Sequence, residues 1–146
     1  GAAYAAQATR ATLANAMDVG APSNFERLRH WHDDDAALRA GFVADSVDDA
    51  TIRRIIAAAP ARHGIVPCPH TATALAVLEQ LREAGDTRDW AVVATAHPAK
   101  FETIVEPLVG HTVALPPALA DCLARPAHGT PLPADEAALA ATLEGW

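Results

Sequence analysis

Trp90-Ala91-Val92-Val93-Ala94-Thr95-Ala96-His97-Pro98-Ala99-Lys100-Phe101 passes in one step from an apolar run to a polar one. Trp90 to Ala94 is short and carries two β-branched valines, the pattern of a strand buried on both faces of a sheet. Thr95, His97 and Lys100 follow within a few residues. Pro98 opens a predicted helix that runs to Val109, where its missing N–H costs nothing. The chain therefore reads as α/β: a partial open three-layer sheet with flanking helices. A hydroxyl, an imidazole and a helix N-terminus gather at the carboxyl end of a strand, the side on which open α/β sheets bind ligands.

Composition narrows the function classes. A chain of 146 residues with 51% apolar content is long enough to bury a core. No run approaches the roughly 20 apolar residues that a bilayer requires, and no basic-then-apolar leader opens the chain, so no membrane partner is expected. A formal net charge of -7 argues against nucleic acid, whose non-specific affinity comes from clustered Lys and Arg. Cys68 and Cys122 are too few for a disulfide framework, which points to a reducing, cytoplasmic setting. Lys100 is the single lysine, so a Schiff base formed within this chain would have to use it.

The flanking stretches read mostly as helices. Ser23 and Glu26 have the spacing of a capping box ahead of a helix from Asn24 to His32. His30-Trp31-His32-Asp33-Asp34-Asp35 gathers metal-ligand types. His30 and His32 stand two apart and share no helix face, so the aspartates read as caps for a helix from Ala36 to Ala40, and no metal is expected. Ser46 to Asp49 starts a helix whose stripe is Ile52, Ile55 and Ile56, ended by Pro60 and Gly64. Ile65 to Pro67 reads as a brief strand, and Cys68 to Thr71 opens the longest helix, reaching Glu83 with Leu75, Leu78 and Leu81 inward. Thr112 to Leu115 is another apolar run, Pro116-Pro117 enters a helix ending at Leu123, and residues 124–133 form a loop with three prolines. Asp135 to Leu143 closes the chain as a helix.

Three segments, in order and at their spacing, carry a resemblance: residues 12–28 (Thr12-Leu-Ala-Asn-Ala-Met-Asp-Val-Gly-Ala-Pro-Ser-Asn-Phe-Glu-Arg-Leu28), Pro69-His-Thr-Ala72 and Thr95-Ala-His-Pro-Ala-Lys-Phe101. Together they resemble the carboxyl-terminal third of threonine synthase, and Leu132-Pro-Ala-Asp135 resembles the end of the same family. The resemblance implies a fold-type II pyridoxal-phosphate enzyme that converts O-phosphohomoserine and water to threonine and phosphate. It implies further that residues 1–146 are one incomplete domain, the carboxyl-terminal part of a larger catalytic domain. The Schiff-base lysine and the phosphate-binding loop would then precede Gly1, leaving no catalytic residue in this stretch and the stretch inactive alone. Apolar surfaces left by the missing portion would pair with that portion or drive self-association.

By the same resemblance Thr95, Ala96 and His97 are the cofactor-binding residues, with the Thr95 hydroxyl facing the pyridine nitrogen. A hydroxyl cannot balance a pyridinium as a carboxylate does, so the ring stays nearer neutral, which favours elimination and addition over transamination. His97 either lines the ring edge or bonds a loop carbonyl, and Lys100 pairs with Glu26, Glu102 or a carboxylate outside the chain. Ser23, Asn24 and Arg27 suit an anionic substrate, or serve as caps and an ion pair. His70 and Thr71 open a helix near the site. Two alternatives remain at this stage: another fold-type II enzyme, such as a serine/threonine dehydratase or an inactive relative, and a small non-catalytic α/β binding module.

Overall fold

A computed structural model describes residues 5–32 and 34–144. Seven α-helices stand among them: α1 Asn24–His30, α2 Asp35–Gly41, α3 Asp49–His63, α4 Pro69–Glu83, α5 Glu102–Val109, α6 Pro117–Leu123 and α7 Glu136–Glu144. Short 3₁₀ turns cover Asn15–Met17 and Pro98–Phe101. The chain divides into two compact units, Gly1–Ala114 and Leu115–Trp146.

The core of the first unit lies where α3 packs on α4 and α5. Asp48 caps α3, its Oδ1 accepting the Thr51 N–H at 2.7 Å, and one turn later the isoleucine stripe begins. Ile52, Ile55, Ile56 and Ala59 come from α3, Ala72, Leu75 and Ala76 from α4, and Val105 from α5, all buried. Each isoleucine removed from water contributes about 1.5–3 kcal/mol, so this seam outweighs any surface pairing in the unit.

The predicted end of α3 moves. Pro60 lies inside the helix, which continues to His63 and closes at Gly64 with φ +69. A proline in a helix interior forfeits a backbone hydrogen bond, and here the last turn is secured from outside. Arg62 and His63 reach Glu79 of α4 at 3.0 and 3.6 Å, and Arg54 reaches the same carboxylate at 3.3 Å. Burial pushes the Glu79 carboxyl up, but the hydrogen bonds from Arg62 and Arg54 outweigh it and hold the group below its ordinary value of 4.5. A carboxylate depressed in the folded state contributes stability that is present above the unfolded pKa and lost as pH falls through the folded one. Glu79→Gln is accordingly expected to lower the unfolding free energy by about 1 kcal/mol at neutral pH. The deficit should shrink below pH 4.5, as read from urea titrations of the intact protein at both pH values.

The α/β assignment is corrected: among the described residues there is no strand and no sheet, and the regular structure is helical. The two runs expected as strands, Ile65–Pro67 and Trp90–Ala94, have no regular structure, nor has the apolar run Thr112–Leu115. Nor is the central run buried on both faces, since Trp90 and Val93 are exposed and Val92 is half-buried. The physical reason is that a strand is defined by backbone bonds to a neighbour, and these runs pair with none among the described residues. The Val113 N–H instead donates to the Glu106 carboxylate at 2.9 Å. With the sheet goes the alternative of an independent α/β module.

Other boundaries shift for local reasons. The Ser23–Glu26 capping box is not formed: Ser23 is itself in helical conformation and makes no side-chain cap bond. α1 stops two residues early, with His32 Nδ1 2.7 Å from the Leu28 carbonyl. The helix expected from Pro98 to Val109 begins as a 3₁₀ turn and becomes α5 at Glu102. Gly110, at φ +76, closes it in the left-handed conformation that glycine adopts without penalty.

In the second unit α6 begins at Pro117 as expected, residues 124–135 are irregular, and α7 runs from Glu136 to Glu144. The Thr142 hydroxyl donates to the Ala138 carbonyl at 2.9 Å within α7. No helix among the described residues is long and apolar enough to cross a membrane.

Candidate functional site

The residues singled out around Thr95 meet the opening turn of α4. Cys68 caps that helix, with Pro69 at its first position. The Thr71 N–H donates to Cys68 Sγ at 3.4 Å, and Thr71 Oγ1 stands 3.3 Å from the same sulfur. Thr95 joins from the following segment: its N–H donates to Thr71 Oγ1 at 3.4 Å, and its own Oγ1 lies 3.9 Å from Cys68 Sγ. Cys68 and Thr71 are buried, whereas Thr95 is exposed. Burial pushes the Cys68 thiol up, but hydrogen bonds from the Thr71 side chain and amide, the Ala96 amide and the Thr95 hydroxyl leave it below the ordinary thiol range. The result is an accessible hydroxyl braced from behind by a buried thiol and a second hydroxyl.

Ala96 is half-buried beside the thiol. His97 is exposed and caps the 3₁₀ turn, its Nδ1 accepting the Ala99 N–H at 3.2 Å. The ring thus accepts from an amide, not donates to a loop carbonyl, and its Nε2 edge is left for other contacts. Lys100 is exposed. Among the described residues it has no ion-pair partner, so the expected pairing with Glu26 or Glu102 is not formed.

His70 does more than open the helix. It is 6% exposed, stacks at a tilt 5.1 Å from the Phe101 ring, and accepts the Ala16 N–H on Nε2 at 3.0 Å. This contact ties the 3₁₀ turn Asn15–Met17 to α4. Beside it the Leu13 N–H donates to Asp49 Oδ1 at 2.9 Å, and Thr12 bonds Asp18 through both its amide and its hydroxyl. The segment 12–18 is therefore held against the core by side chains of α3 and α4.

Ser23, at the N-cap of α1, and Asn24 and Arg27 within it are all exposed, and α1 packs on α2; the hydrogen bonds of Thr95 go to Thr71 and Cys68 instead. In the His30–Asp35 stretch, Asp34 Oδ1 accepts the Ala36 and Ala37 N–H groups at 2.8 Å and caps α2. The predicted role of Asp33 lies outside the described residues. Among those residues no group of three or more His, Cys, Asp or Glu side chains could hold a metal ion.

Sequence reasoning missed two of these residues. Cys68 was read only as part of a helix start, although a residue just before proline at the first helical position is where a cap falls. The clamp from His70 to Ala16 spans 54 positions, and no local pattern announces it.

Residues 71–143 match the family model "Threonine synthase, C-terminal". The chain is 35% identical to threonine synthase of Escherichia coli over 93% of its own length and 31% of that protein's. It is 36% identical to threonine synthase of Haemophilus influenzae over 76% of its own length and 25% of that one's. Superposed on the crystal structure of threonine synthase from Escherichia coli, it gives a TM-score of 0.70 at 31% identity, covering 98% of this chain and 33% of the other. The chain thus spans about a quarter to a third of the length of the relatives it matches.

Proposed function

The chain belongs to the threonine synthase family, whose carboxyl-terminal region it matches, and from that premise we propose that the intact protein converts O-phosphohomoserine and water to threonine and phosphate with pyridoxal phosphate. This stretch supplies the ring-nitrogen side of the cofactor pocket. The Schiff-base lysine and the phosphate loop come from polypeptide outside residues 1–146, which act as part of one larger catalytic domain and are inactive alone. A cytoplasmic setting is supported by the two free cysteines, Cys68 and Cys122.

One observation carries the reading. The Thr95 backbone is bonded to Thr71 while its side chain stays exposed, so a hydroxyl is both held and accessible. A hydroxyl fits a pyridine nitrogen that is close to neutral: it offers one hydrogen and no compensating charge. When bound, pyridoxal phosphate supplies the electron sink. Thr95 holds a hydrogen at the ring nitrogen without fixing a full charge there, which suits elimination and addition better than transamination. Ala96 and His97 line the same edge. Ser23, Asn24 and Arg27 are proposed as contacts of the substrate's phosphate, supported by their exposure and by the uncommitted Ser23 hydroxyl.

The test is an assay of the full-length protein with O-phosphohomoserine, serine and threonine in parallel. Release of phosphate together with threonine from the first substrate is expected. Deamination of serine or threonine without phosphate release would favour a dehydratase instead. Thr95→Val is expected to lower kcat/KM by roughly tenfold to a hundredfold, about 1.4–2.7 kcal/mol of transition-state stabilisation.

A further inference from the structure

Counting hydrogens gives one direction that satisfies every group in the contacts behind Thr95. A hydroxyl carries one hydrogen and two lone pairs, and a thiol is a weak donor and weak acceptor. A Thr71 oxygen that accepts the Thr95 N–H still has its own hydrogen to give to Cys68 Sγ at 3.3 Å, a contact in which either atom can donate. The sulfur also accepts the Thr71 N–H. With these and the Ala96 N–H arriving at the sulfur, the S–H has Thr95 Oγ1 to point at, 3.9 Å away, in a contact where either atom can donate. The Thr95 oxygen then acts as acceptor on its inner side, and its hydrogen is turned outward. Water does not interrupt the sequence from behind, because Cys68 is 0% and Thr71 3% exposed.

We propose that Cys68 and Thr71 are positioning residues that order these hydrogens so that the Thr95 hydroxyl donates outward, toward the ring nitrogen of the bound cofactor. The inference rests on the reading of Thr95 as the residue that faces that nitrogen. It extends the reading because it assigns a role to a buried thiol and a buried hydroxyl that never touch the ring. In the thiol form the sulfur donates to Thr95, whereas a thiolate would draw the Thr95 hydrogen inward. Without the thiol the Thr95 hydrogen is free to turn inward, and the outward bond is made only part of the time.

The experiment uses the full-length protein loaded with pyridoxal phosphate labelled with nitrogen-15 in the ring. Three quantities are read for each variant: the ring-nitrogen chemical shift, the cofactor dissociation constant, and the melting midpoint of the cofactor-free protein. Thr95→Val is expected to move the nitrogen signal toward that of a ring with no hydrogen-bond donor. Cys68→Ala and Thr71→Val are expected to move it part of the way in the same direction and to weaken cofactor binding about three- to tenfold, the scale of one modest hydrogen bond. Cys68→Ser and Thr71→Ser, which keep a donor and an acceptor in place, should restore most of the shift.

A purely structural role would lower the melting midpoint and leave the nitrogen signal where it was, and that result overturns the inference. If Thr95→Val moves the signal while Cys68→Ala and Thr71→Val do not, the positioning role falls and the reading of Thr95 stands. If Thr95→Val leaves the signal in place, both fall together. Should Cys68→Ala fail to fold, Thr71→Val and Cys68→Ser carry the same comparison, and an unmoved signal in Thr71→Val counts against the proposal.

Discussion

Ile55→Ala is expected to lower the unfolding free energy by about 2–5 kcal/mol, the range for truncating a large aliphatic side chain in a packed core. Ile55 is fully buried on α3, in the cluster it shares with Leu75 and Ala76 of α4 and Val105 of α5. Two terms add. The removed methylene and methyl groups forfeit their transfer free energy, and the cavity left behind keeps part of its volume because three helices fix its walls. Nothing nearby can collapse cheaply: the α3–α4 contact is tied at its far end by Glu79 to Arg54 and Arg62. The control is Ile65→Ala at a residue 46% exposed, where a loss within about 0.5 kcal/mol is expected. Urea denaturation of both variants of the intact protein measures the difference. A loss below about 1 kcal/mol for Ile55 would mean that the α3–α4 seam is not the core.

His70→Ala is expected to cost about 2–4 kcal/mol, by removing a buried ring and the acceptor of a backbone amide at once. The Ala16 N–H donates to Nε2, so that nitrogen carries no proton and the neutral ring holds its hydrogen on Nδ1. Nδ1 is buried and has no hydrogen-bond partner among the described residues, which already subtracts from what the ring contributes. His70→Phe separates the terms. It keeps most of the volume against Phe101 and deletes the unpaired Nδ1, so the loss should fall to about 1 kcal/mol, the worth of the Ala16 bond. The segment released is the same in both variants. Amide hydrogen exchange in residues 12–19 is expected to accelerate in both variants, because both lose the tie between the Asn15–Met17 turn and α4. Unchanged exchange there would show that Asp49 and Asp18 hold the segment without His70.

The helices were legible in the sequence where their signals are local. Asp48 and Cys68 sit at caps, Pro69, Pro98 and Pro117 at first turns, Gly64 and Gly110 just past the ends, and Ile52, Ile55 and Ile56 recur at helical spacing. Each of these depends on residues within a few positions of one another. The strands were not legible in the same sense. Ile65–Pro67, Trp90–Ala94 and Thr112–Leu115 have strand-like composition, but strand pairing is a property of two segments, and composition names only one. The pattern Thr95-Ala-His-Pro, together with residues 12–28 and Pro69–Ala72, carried the resemblance to the family and the choice of candidate cofactor residues. It did not disclose that a cysteine 27 positions earlier stands behind the hydroxyl.

By itself the sequence determined the family, the presence and order of the helices, and the candidate hydroxyl, since these follow from residue identity and short-range chemistry. Only the tertiary structure decided that the described residues form no sheet, that α3 runs through Pro60, and that Cys68, Thr71 and Thr95 share one hydrogen-bonded cluster. Contacts between distant segments are chosen by packing the whole surface at once, and a local pattern holds no record of which partner wins.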